Sequence, residues 1–229
     1  MMTNLFSIFD PSSSMMMIPL NWLSSIISMI ILPYMFWLIP SRYNMMWILL
    51  VNFINKETKI LINKNAWGSN ILFTTIFIFI MINNFMGLFP YIFTSSSHLM
   101  MTLSLSLPLW LGLMIFGWMN FYNNMFAHLV PMSTPSILMP FMVMIESISN
   151  FIRPGTLAVR LAANMIAGHL LITLISSTGP NLNLFLTSIM ILSQILLLIR
   201  ESAVAIIPAY VFSILSTLYS NEIKSLYLM

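Results

Sequence analysis

The chain has 229 residues, 59% of them hydrophobic and only 6% charged, and its mean hydropathy of +0.96 excludes an ordinary soluble domain. It has no cysteine, which excludes disulfides, thiolate metal sites and cysteine nucleophiles. Its net charge of +3 rests on eight basic residues, three of them inside apolar stretches, so no basic face is left for nucleic acid.

The N-terminus, MMTNLFSIFDPSSS, carries no Lys or Arg and so has neither a secretory n-region nor an Arg-rich transit peptide. Twenty-three methionines fit a genetic code that reads an isoleucine codon as methionine, as in many mitochondria. The apolar runs are continuous, without the alternation of an outer-membrane barrel, and there is no internal repeat. The expected fold class is therefore all-α, a polytopic helical membrane protein forming one membrane domain over residues 1–229.

Runs of roughly 20 apolar residues can cross a hydrocarbon core of about 30 Å. Three come first, at residues 20–39, 70–89 and 99–119. Between the first two, residues 42–64 carry Arg42, Lys56, Lys59 and Lys64, half of all the basic residues. Trp47, Leu50, Val51, Ile54 and Leu61 recur there at near-helical intervals, which predicts a helix on the membrane surface. The positive-inside rule puts it on the matrix-like side, with the N-terminus outside. Pro90–His98 is then an outer loop and Asn120–Pro135 an inner one. His98 and His128 are expected to be solvated. Trp37, Tyr43, Trp67, Tyr91 and Trp118 read as interface anchors.

Residues 137–177 and 182–219 each stay apolar for about 40 residues, some 60 Å if helical, twice the membrane thickness. Each is either a tight pair of spans or one long, tilted helix. The break Ser176–Asn181 separates them, and Arg153-Pro154-Gly155 should kink the first. If each crosses once, the C-terminus, with Lys224, lies inside.

Within these two stretches lie Glu146, Arg153, Arg160, His169, Arg200 and Glu201. An ionisable group at bilayer depth costs about 2.5–3.5 kcal/mol, so six of them require partners, water or a function. Glu146, Arg153 and Arg160 are seven apart and share one helix face, as does Asn164; His169 points to roughly the opposite side. Gln194 and Glu201, also seven apart, give the second stretch its own polar stripe. Two readings stay open. Either the charges pair to hold the long helices together, or Arg160, Asn164, His169 and Glu201 line a wet pathway. No nucleophile-elbow pattern surrounds any serine, three scattered histidines form no metal cluster, and no cofactor is implied.

Four segments together resemble one family over essentially the whole chain: RPGTLAVRLAANMIAGHLL (153–171), NNFMGLFPYIFTSSSHL (83–99), HLVPMSTPSILMPFMVMIESIS (128–149) and ESAVAIIPAYVFSILSTLY (201–219). This is the subunit a family of F-type ATP synthases, in its mitochondrially encoded, insect-like form. The resemblance implies a stator in the mitochondrial inner membrane, its last two helices a tilted hairpin along a ring of c subunits. It also implies b-type peripheral-stalk and small membrane subunits as partners, with the N-terminus in the intermembrane space and the C-terminus in the matrix. Two proton half-channels would reach the ring from opposite faces. Carried over by position, Arg160 is the essential arginine, His169 and Glu201 belong to the intermembrane-space half-channel with Asn164 beside them, and Glu146 belongs to the matrix side. Gln194, Arg153 and Arg200 could support them.

The residue types suit those roles. A unit charge about 4 Å from a ring carboxylate is worth roughly 4 kcal/mol at an effective dielectric near 20, enough to favour its ionised form. Arginine cannot pass a proton on, so it also blocks a direct leak. Two positions depart from the family pattern. Pro208 stands where a glutamine on the ring-facing side is usual, and Arg200 precedes Glu201 where an apolar residue is expected. The alternatives are a small proton or cation secondary transporter and a membrane scaffold or quinone-linked respiratory subunit.

Overall fold

A computed structural model describes residues 5–12, 20–62, 67–130, 135, 137–179 and 183–228. Seven α-helices run in order among them: α1 Ser24–Ile30, α2 Arg42–Leu61, α3 Trp67–Gly87, α4 Leu99–Asn120, α5 Tyr122–His128, α6 Met139–Thr178 and α7 Leu184–Leu228. Short 3-10 turns occur at Leu5–Phe9, Leu20–Leu23 and Ser95–Ser97. Four helices, α3, α4, α6 and α7, are long and apolar enough to cross a membrane.

The two long apolar stretches are each a single helix. α6 runs 40 residues through Pro154 without a break, and α7 runs 45 through Pro208. Each proline removes one N–H from the helix ladder, a local loss that packing tolerates. The pair is antiparallel, because Arg153 on α6 meets Glu222 on α7 while Gly168 lies against Glu201. α3 runs antiparallel to α7, with Asn84 bonded to Ala205 and Phe77 in one cluster with Phe212. α4 flanks α6, where Trp110 meets Phe151 edge to face at 5.9 Å. The core, Ile54, Phe77, Ile80, Leu157, Leu161, Ala209 and Phe212, joins α2, α3, α6 and α7.

α7 shows why this sequence packs as it does. Many of its large side chains, such as Ile191, Leu192, Ile195, Leu196 and Ile199, are exposed, whereas Ala205, Ala209, Ser213, Ser216, Thr217 and Ser220 are buried along with Phe212. In lipid nothing drives leucine inward, so small residues that allow close backbone approach occupy the helix contacts. The buried hydroxyls donate within their own helix, Ser213 to the Tyr210 carbonyl at 2.9 Å and Ser220 to that of Thr217 at 2.7 Å, so these hydroxyls are satisfied.

Three expectations need correction. The apolar run 20–39 is not one helical span: helix ends at Ile30, and residues 31–41, with Pro33 and Pro40, are irregular. Trp22 nonetheless meets Phe93 of the 90–98 connection edge to face while α2 joins the opposite end of α3 through Thr58 and Asn70, so this stretch links both ends of α3. The expected inner loop contains α5. The 94–98 connection is not a solvated loop: Thr94–Ser97 are buried, and His98 stacks on Phe93 at 5.2 Å beside Trp22. Lys64, Pro180 and Asn181 lie outside the described residues, as do the side chains of Trp67, His128 and Lys224.

Candidate functional site

The hairpin sorts its charged side chains into two groups. Near the start of α6, the Arg153 guanidinium lies 3.7 Å from Glu146, one i, i+7 step back, and 3.2 Å from Glu222 across the hairpin. It also sits over the Tyr219 ring at 5.1 Å. The pairing reading therefore describes Arg153 and Glu146. The cluster is about one-third to one-half exposed, and such pairs contribute no more than about 1 kcal/mol.

Two turns further along α6 the arrangement changes. Arg160 is exposed on the outer face of the hairpin, with no hydrogen bond or ion pair among the described residues. Its neighbours Leu157, Ala158, Leu161 and Ala162 are buried, which fixes the helix rotation and turns residue 160 outward. Asn164, one turn on, is half-buried.

Glu201 is the opposite case, only 3% exposed, on the buried stripe of α7 with Ala205 and Ala209. Its carboxylate lies against the Gly168 backbone of α6, and its Oε1 is buried with no hydrogen-bond partner among the described residues. His169, next to Gly168, has its Nε2 in the same condition, and its ring meets Phe9 edge to face at 6.3 Å. Asn84 of α3 is fully buried; its amide nitrogen donates to the Ala205 carbonyl at 3.1 Å, and its Oδ1 is unpartnered. Orphan polar atoms are costly in a low-dielectric interior, and three of them stand on the adjoining helices α3, α6 and α7.

Arg200 is not paired with the acid that follows it. It is exposed, no ion pair joins it to Glu201, and the 100° step between successive helix residues sends one outward and the other inward. Pro208 is also not on an outward face; it is buried on the Glu201 stripe. Gln194 is half-buried in the less covered part of α7. The structure thus brings Glu201 and the segment 168–169 together, leaves Arg160 about 12 Å along α6 from Gly168, and gathers Glu146 and Arg153 at the other end.

Sequence reasoning missed four participants. Glu222 closes the Arg153 cluster, Asn84 ties α3 to α7, Phe9 covers His169, and Gly168 makes room for Glu201. The only available signal was a glycine beside a membrane histidine.

A profile of the family described as ATP synthase A chain matches residues 13–221. The chain is 58% identical to ATP synthase subunit a of Drosophila melanogaster, over 98% of this chain and all of that protein. It is 58% identical to the subunit a of Locusta migratoria, over 97% of this chain and all of that one. For Anopheles quadrimaculatus the identity is 56% over 98% of this chain, again covering the whole relative.

Proposed function

Because the chain belongs to the ATP synthase A chain family, we propose that Arg160 and the Glu201–His169 seam are the working parts of its proton path. The protein is the proton-channel stator subunit of the membrane sector of ATP synthase, a multi-pass membrane protein that works with the other subunits of that complex. Family membership leaves the transporter alternative without support.

The observation that carries the residue assignment is the exposed Arg160 guanidinium, unpaired within the described chain on the outer face of a long hairpin. A permanent cation at membrane depth is costly unless an anion meets it. The proposed anion is a carboxylate on each subunit of a rotating c ring. At about 4 Å and an effective dielectric near 20, Arg160 favours that carboxylate's ionised form by roughly 4 kcal/mol, so the proton it carries is released as it arrives. Lipid on either side of the ring favours the neutral form. Rotation follows from this alternation, driven by about 2.3 kcal/mol per proton per 100 mV.

Glu201, His169 and Asn164 form the entry side in this reading, from the intermembrane space of the mitochondrial inner membrane. The buried, unpartnered atoms of Glu201 and His169 are where water can hand protons on. Glu146 lies toward the exit, on the matrix side, its carboxylate held by Arg153. Gln194 and Arg200 flank the entry. The N-terminus then faces the intermembrane space and the C-terminus the matrix, with b-type stalk and small membrane subunits against the exposed apolar faces.

The test is Arg160→Ala in the assembled complex. Proton-coupled ATP synthesis is expected to vanish while the amount of assembled complex stays normal. Wild-type synthesis in that variant rejects the assignment.

A further inference from the structure

Gly168 occupies a position where no side chain fits. A Cβ built on it would overlap Oε2 and Cδ of Glu201 and lie 2.7 Å from Oε1. Three other described glycines, Gly68, Gly112 and Gly155, have nothing within 4 Å of such an atom. The carboxylate therefore lies directly on the α6 backbone, one residue before His169 and inside the α6–α7 seam. No hydrogen bond or ion pair joins Glu201 to His169 among the described residues, and the polar atoms Glu201 Oε1 and His169 Nε2 are both buried and unpartnered. How deeply the carboxylate can enter the seam is set at Gly168, where no Cβ stands in its way.

We propose that Gly168 is a positioning residue for proton transfer: its missing side chain sets the depth of the Glu201 carboxylate, and with it the gap to His169 that water must bridge. The inference rests on the proton-path reading above. A carboxylate is the far end of a flexible side chain, so a methyl group at 168 displaces the acid rather than separating the helices. The cost falls on transfer geometry more than on folding.

The test uses the intact complex in liposomes, with proton flux under an imposed potential measured per assembled complex. Gly168→Ala is expected to lower flux by at least roughly tenfold, since a misplacement of about 1 Å can cost on the order of a hundredfold, whereas Gly112→Ala leaves it unchanged. In a Glu201→Asp background, where the acid is one methylene shorter, the same alanine should raise flux, because it fills the vacated space. This reversal of sign needs only the two aspartate variants if Gly168→Ala itself assembles poorly. Wild-type flux in Gly168→Ala, or no gain from the alanine in the aspartate background, overturns the inference. Arg160→Ala in the same liposomes separates the two levels. If it still supports coupled synthesis, the proton-path assignment fails; if it is silent while the reversal is absent, only the role of Gly168 falls.

Discussion

Arg153 and Arg160 stand seven residues apart on one helix, and their surroundings differ in kind. Around Arg153 the chain supplies Glu146, Glu222 and the Tyr219 ring. Around Arg160 it supplies buried small and apolar neighbours that turn the guanidinium outward. The contrast extends across the hairpin, since Glu222 is answered by an arginine and the buried Glu201 is not. The paired charges join two helices within the chain; in the proposed reading the unpaired ones serve water or another subunit. Membrane depth makes the distinction sharp, because lipid offers an orphan charge no alternative partner.

The contrast can be broken most forcefully at Arg160. Arg160→Lys keeps a charge but replaces the planar fork with an ammonium that sheds its proton when desolvated, so coupled ATP synthesis should fall by at least roughly tenfold. Near-normal synthesis would mean that any cation suffices. Glu201→Gln comes next. It preserves shape and removes the proton carrier, and proton flux per assembled complex should drop by roughly tenfold or more; unchanged flux would reduce Glu201 to a packing residue.

Asn84→Leu sharpens the same contrast by removing one buried hydrogen bond between α3 and α7. Thermal inactivation of the complex should report a loss of about 1 kcal/mol, with flux less affected than in Glu201→Gln. The smallest effect belongs to the paired end. Arg153→Met should cost less than about 1 kcal/mol in thermal stability and leave coupled synthesis close to wild type. A collapse of synthesis there would erase the division between the two groups.

Part of the candidate site is legible in the sequence. Arg160 stands out as a permanent cation in an apolar run, and the i, i+7 relation of Glu146 and Arg153 places them within reach of each other, as the 3.7 Å pair bears out. The surroundings of Arg200 and Pro208 are not legible in the same way, because the rotation of α7 depends on which of its small residues touch α3 and α6. His98 shows the same limit: a Thr-Ser-Ser-Ser-His connection reads as solvated until Trp22 and Phe93 are seen beside it.

Composition and hydrophobic run length by themselves determined that this is a helical membrane protein and that its last third holds two unusually long apolar stretches, because a bilayer admits only backbones that satisfy their own hydrogen bonds. They also determined which residues were too costly to be incidental. The tertiary structure alone decided that each long stretch is one helix, that Arg160 faces outward and Glu201 inward, and that an acid on one helix packs against Gly168 on the other. Those facts depend on close approach between segments more than 30 residues apart, where a single missing methyl group decides what fits, and no local pattern in the chain encodes that distance.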